Sequence, residues 1–199
     1  MPHKYQPSQQ RDDVAQIDLQ PCLPSAARVV GPDPPEEASR LHDLALASRE
    51  QGRYAEAAAQ ALQALAISER EVGPDHPDEA TIYHHLGGLE HARGRYARGE
   101  PLACQAVAIR ERALGPDHPD LAADIGALAA ILDGLGQCDE AEALYRRALT
   151  IFERVFGPEH YELAVTFNNL AACYHAKCED GEAERLYRQA LAKGEVAWA

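Results

Sequence analysis

Gly115-Pro116-Asp117-His118-Pro119-Asp120 stands near the middle of the chain, and the same string occurs earlier as Gly73-Pro74-Asp75-His76-Pro77-Asp78. A looser copy, Gly157-Pro158-Glu159-His160, follows, and a degenerate one, Gly31-Pro32-Asp33-Pro34, precedes. Each step from one glycine to the next is 42 residues. Four punctuation marks in one register define an internal repeat, and a period of this length marks stacked units.

A second signal keeps the same step: Gly52-Arg53-Tyr54, Gly94-Arg95-Tyr96 and Gly136-Gln137-Cys138. Each unit therefore reads as helix, tight glycine-centred turn, longer helix and Gly-Pro loop. Glycine suits the residue just past a helix end, where a left-handed conformation closes the last turn. Proline immediately afterwards stops the helix. Pro77 and Pro119 fall near the start of the next helix, where a missing N–H costs nothing. Asp78, Glu79 and Asp120 then put negative charge on the first turn, as the helix dipole favours. His76, His118 and His160 precede these helices and are expected to cap them.

The helices have apolar stripes at spacings of three and four. In the third unit Leu128, Ala129 and Leu132 form one stripe, and Ala141, Leu144, Tyr145, Ala148 and Leu149 another. Arg146 and Arg147 lie off that stripe and should be solvated. Neither helix can bury its stripe alone, so neighbouring units must stack. One further column, Val30, Val72, Leu114, Phe156 and Trp198, is expected to anchor each second helix against the next unit.

Leu-Ala, then Gly-x-Tyr, Ala and Tyr-x-x-Ala-Leu resembles the tetratricopeptide pattern. The 42-residue period, the GPDHPD loops, the GRYAEA turn and Asn168-Asn169-Leu170-Ala171 are similar to kinesin light chain repeats in particular. The resemblance covers residues 31–199 and implies an all-α, right-handed α-solenoid of about four repeats. The units are expected at 31–72, 73–114, 115–156 and 157–199. Residues 1–22 read as a disordered tail, and 23–30 as the remnant of a preceding helix, so that the array spans 23–199. Two departures stand out. In the fourth unit Cys178 replaces the turn glycine and Asp180 the turn tyrosine, which predicts a looser turn. In the second, Gly99 replaces a small alanine and Glu90 a tyrosine, which predicts the least stable unit.

Composition narrows the function. Thirty-two acidic residues against 19 basic ones give a net charge of −13, which repels phosphate backbones and anionic lipid surfaces. Neither nucleic acid nor membrane is an expected partner. The first residues lack the apolar run of a secretory signal, and no stretch reaches the roughly 18 to 20 apolar residues that span a bilayer. The five cysteines show neither zinc-ribbon spacing nor a disulfide framework. A reduced, cytoplasmic protein is the expectation. No nucleophile elbow, phosphate-cradling loop or HExxH motif is present, so neither catalysis nor a cofactor is expected.

In tetratricopeptide arrays the first helices line a concave groove for peptides, and the resemblance implies the same here. Carried onto this chain, one column is His42, His84, Gly126 and Asn168, and a second is Arg49, His91, Asp133 and His175. Asp43, His85 and Asn169 are adjacent. In kinesin light chain repeats the Asn-Asn pair grips a bound peptide's backbone, and here only Asn168 and Asn169 keep it. The candidate peptide-binding residues are thus His42, Arg49, His84, His85, His91, Asp133, Asn168, Asn169 and His175. If the histidines bind, affinity for an acidic partner should rise as pH falls below about 6.5. A metal centre is not expected. His84 and His91 lie about 10 Å apart along a helix, too far for bonds of about 2.0 Å to one ion. Cys173, His175 and Cys178 point in different directions on a helix.

The leading function is a protein–protein interaction module or scaffold holding a peptide or protein partner. The alternative arises at the end of the array, where Leu186, Tyr187, Ala190 and Leu191 lie on a face that no further unit caps. Self-association into a homo-oligomer, a covering partner, or continuation of a longer array would each explain it.

Overall fold

The computed structural model describes residues 36–73 and 76–197. The readings made for the tail at 1–22, the remnant at 23–30, Val30 and Trp198 lie outside them. The described residues form eight helices and no strand, in the order α1 (Glu36–Glu50), α2 (Tyr54–Val72), α3 (Pro77–Ala92), α4 (Tyr96–Leu114), α5 (Pro119–Gly134), α6 (Cys138–Phe156), α7 (Tyr161–Ala176) and α8 (Asp180–Ala197). Each helix packs chiefly against its mate in a hairpin and against its neighbour in sequence. This one-dimensional arrangement is an all-α solenoid of about four helix pairs.

Local chemistry sets three helix starts and the turns within the hairpins. His76, His118 and His160 cap α3, α5 and α7, their Nδ1 atoms accepting from the amides of Asp78, Asp120 and Glu162 at 3.3, 3.2 and 3.4 Å. The turn inside each hairpin closes with two backbone bonds. In the third, the Gly136 amide donates to the Asp133 carbonyl at 2.8 Å and the Gln137 amide to that of Leu132 at 2.9 Å. That geometry places Gly136 at φ +80°. The fourth turn corrects the sequence-based expectation of a looser loop. Its amides from Cys178 and Glu179 reach the carbonyls of His175 and Tyr174, both at 2.9 Å, and Cys178 is driven to φ +62°. The hydrogen bonds are kept, and the cost falls on the side chain that a left-handed residue must carry.

Small side chains bring the helices together. Ala57, Ala61, Ala64, Ala80, Ala122, Ala129, Ala141, Ala148 and Ala171 are wholly buried. The second hairpin goes further and places glycines, Gly87 and Gly99, at its crossing. A Cβ added at Gly99 would lie 3.2 Å from Ile131 Cδ1 and 3.3 Å from the Gly87 carbonyl oxygen. Gly99 thus marks a close approach of α3 and α4, where the sequence alone suggests only a missing methyl. Glu90 is buried beside it and accepts from Arg93 at 3.0 Å.

One further expectation is corrected and another extended. Leu114 and Phe156 do not pack into the core of the next unit: they are 39% and 43% exposed. Each is the last residue of its helix, and Phe156 instead stacks on the His160 ring at 4.1 Å. Arg146 and Arg147 are tied to neighbours as well as solvated. Arg146 donates to the Tyr174 hydroxyl on α7 at 2.7 Å, and Arg147 reaches Glu111 on α4.

The strained turn gives a direct test. Cys178→Gly should stabilise the fold by about 1 kcal/mol, because only glycine adopts this conformation without penalty. Thermal unfolding should move up by about 2–4 °C for a chain of this size. No change would show that the turn stores no strain.

Candidate functional site

The first helices of the pairs touch along the array, α1 with α3, α3 with α5 and α5 with α7, whereas no two second helices do so among the described residues. Elements on the inside of a curve lie closer than those outside. The first helices therefore form the inner face of the solenoid.

On that face the structure joins three of the sequence-predicted residues. His85 Nδ1 lies 2.9 Å from His42 Nε2, which links α3 to α1. The His84 ring sits edge-on to that of His85 with centroids 5.4 Å apart. His84 Nδ1 in turn lies 2.8 Å from Asp124 Oδ1 on α5, outside hydrogen-bonding direction. Asp124 is 2% exposed and accepts a charge-assisted bond from Arg110 Nε at 2.8 Å. Arg110 Nη2 also donates to Thr81 Oγ1 at 3.3 Å. Three units thus meet in one polar chain.

Asp124 and Arg110 were not singled out in the sequence. Asp124 occupies a buried position of its helix, and Arg110 looks like any charge on a second helix until the two are brought together. A carboxylate in a stripe position is the one signal that could have found them, because a buried charge needs a partner.

The remaining candidates make separate local contacts. Arg49 is exposed and adds positive charge near His85. His91 packs edge-on against Tyr96 at 5.4 Å. Asp133 accepts from the Cys138 thiol at 3.7 Å. His175 is exposed and pairs with Asp180 at 2.9 Å. Asn169 is half-buried. Asn168 is exposed and lines an apolar cleft of about 850 Å³ between α7 and α8, with Val165, Tyr187 and Leu191.

Burial changes what the histidines can do. It lowers the pKa of His85 to about 4, and the neighbouring His42, His84 and Arg49 push it the same way. Burial also lowers that of His42, against the pull of Asp43. His85 therefore stays neutral under mild acid, and His42 is harder to protonate than a free imidazole. For His85 this corrects the expectation that the groove histidines charge below about pH 6.5.

The cysteine trio seen in the sequence separates, with Cys173 buried and His175 and Cys178 exposed. Instead Asp133, Cys138 and Cys173, from two neighbouring units, bring their ligand atoms within 4.8 Å of one another. They could offer a soft ion two sulfurs and an oxygen. Their present arrangement is a run of thiol hydrogen bonds, with Cys173 Sγ donating to the Cys138 carbonyl at 3.2 Å. Burial, then Asp133 and Cys138, push the Cys173 thiol up to about 12, so an ion would first have to displace that proton. The cluster reads as packed thiols.

Two tests follow from the histidine cluster. Asp124→Ala leaves Arg110 buried without its partner and should cost about 3 kcal/mol or more in urea unfolding. Replacing both partners by apolar residues of similar size, Arg110→Met together with Asp124→Leu, should recover most of that loss. Because His85 resists protonation when folded, the unfolded chain binds more protons between about pH 6.5 and 4, and stability should fall as pH drops across that window. His85→Gln should flatten the slope; an unchanged slope would place the cause elsewhere.

A tetratricopeptide repeat family model matches residues 38–112, 78–154 and 126–193. No curated protein matches the chain in sequence. Among solved structures, BtubC (BKLC) from P. vanneervenii is 25% identical, with a TM-score of 0.73 over 82% of this chain and 65% of the other. This chain therefore spans about two thirds of that relative's length. A kinesin light chain-type protein of Podosopora anserina with nearly identical TPR-like repeats is 29% identical, with a TM-score of 0.69 over 79% of this chain and 76% of that one. MamA from Desulfovibrio magneticus RS-1 shares the fold alone, at 15% identity and a TM-score of 0.60, over 79% of this chain and 76% of the other. The matched residues run from the first described helix to the last, and the chain belongs to the tetratricopeptide repeat family, with repeats like those of kinesin light chain.

Proposed function

We propose that the chain is a non-catalytic, cytoplasmic interaction module that holds a peptide or protein partner along the inner face of its first helices. One observation carries this reading: that face presents polar groups with unused hydrogen-bonding capacity. Asn168 is exposed there, and His42 Nδ1, buried just beneath the surface, has no partner among the described residues. An asparagine amide offers both a donor and an acceptor to a peptide backbone. The likeness to kinesin light chain repeats supports the same use of Asn168 and Asn169. Nucleic acid and membrane surfaces are poor partners for a chain of net charge −13. No described helix is long and apolar enough to cross a membrane.

A second reading has its own observation. Around the cleft between α7 and α8, Tyr161, Val165 and Leu191 are 53%, 50% and 67% exposed. An apolar surface of this kind marks a contact face, and a second copy of the chain could cover it.

Capture from host lysate separates the two. Wild-type protein is compared with a triple variant, His84→Ala, His91→Ala and Asn168→Ala, whose helicity is checked by circular dichroism. A partner held by the wild type and lost by the folded variant is the expected result. Identical captures would remove the inner face from the mechanism. Recovery of the chain itself, with a doubled mass in solution, would favour the terminal face.

A further inference from the structure

Equivalent residues at successive unit junctions do different work. At the junction of the second and third units Arg110 is 11% exposed, and its guanidinium meets Asp124, Thr81 and, at 4.0 Å, Asp120. One period earlier the same place holds Ser68. The neighbours of Arg110 also have counterparts 42 residues before them: Ser39 for Thr81, His42 for His84, Asp78 for Asp120 and Ile82 for Asp124. All of these counterparts, together with Ser68, line one pocket of about 260 Å³ between the first and second units. The pocket is the seat that an arginine fills in the next junction.

Its chemistry asks for a cation. Ser68 is 1% exposed, lines the pocket and has no hydrogen-bond partner for its Oγ among the described residues. His42 Nδ1, also in the lining, lacks one too. Leaving buried polar atoms unpaired is unfavourable, and such groups call for a partner. Asp43 and Asp78 stand exposed at the same pocket, and among the described residues no lysine or arginine lines it. Burial disfavours the charged form of His42, which lessens its repulsion of a cation. A planar group with several N–H donors can satisfy separated acceptors at once, which a compact ammonium does less well.

We infer that this pocket receives the guanidinium of an arginine side chain presented by a bound peptide, in the position that Arg110 occupies one unit later. The inference rests on the interaction-module reading and adds to it the class of side chain recognised. Ser39, Ser68 and the two carboxylates accept from the fork, and the apolar base formed by Ala38 and Ile82 takes the alkyl stem. The alkyl part of arginine packs on such surfaces while its head remains hydrogen-bonded.

The test uses defined probes on the whole chain, so that its outcome does not depend on finding the partner. N-acetyl-arginine methylamide is titrated while the amide resonances of Ser39, Ser68 and Thr81 are followed by NMR. The lysine analogue and the uncharged citrulline analogue serve as comparisons. The expected result is saturable shifts with arginine, binding weaker by on the order of tenfold with lysine, and none with citrulline. Ser68→Arg, which supplies the chain's own guanidinium, should abolish the response, and Asp78→Asn, at an exposed position, should weaken it. Failure of the three amides to shift, equal shifts with citrulline, or an unchanged response in folded Ser68→Arg would overturn the inference. If Ser68→Arg does not fold, Asp78→Asn decides: undiminished binding overturns the inference. A negative titration beside a partner still captured through the inner face would remove this pocket alone.

Discussion

No helix pair in this chain can cover its own apolar face, and stacking on the next pair is what makes the fold possible. The buried groups show it. One core gathers Ala103 from α4, Leu128 and Ile131 from α5, Tyr145 from α6, Leu170 and Cys173 from α7 and Leu186 from α8. Another runs from Ala45 on α1 through Ala61 and Leu86 to Leu102 on α4. Such cores require each unit to arrive at the same height and angle as the last. The histidine caps and left-handed turns enforce that register, down to Cys178, which accepts an unfavourable conformation to keep it.

The same constraint explains where variation is tolerated. Residues at hairpin crossings must be small, whereas the residue facing the next unit late in each second helix changes freely. Ser68, Arg110, Phe152 and Gly194 occupy that position in turn. Phe152 fills its junction with a ring that is 3% exposed. Arg110 fills its own with a guanidinium that pairs with the buried Asp124, whose other oxygen lies beside His84. A buried ion pair is seldom the most stabilising choice for such a space. What it fixes is direction, since guanidinium and carboxylate must meet in one geometry. One scaffold therefore yields junctions of distinct chemistry along a single face.

Much of the fold was legible because its signals are local. The 42-residue step, the Gly-Pro loops and the residues that start and stop each helix act within a few residues of themselves, and the capping histidines could be assigned on that basis. The site was legible only as a set of positions. That His42 and His85 share a hydrogen bond, while His91 turns to Tyr96 and His175 to Asp180, depends on side-chain direction and on neighbours one unit away. The titration of His85 was misjudged for the same reason, because burial and the nearness of His42, His84 and Arg49 are properties of the packed array. Leu114 and Phe156 show the converse error: a regular column in the sequence was read as core packing, yet these two end their helices substantially exposed.

Hydrogen exchange on the intact chain tests the stacking account most directly. If each unit is held mainly by its neighbours, amides in α4, α5 and α6 should be the best protected, with protection declining toward α1 and α8. An array in which α1 or α8 exchanges most slowly, or in which the central helices open before the ends, would contradict it.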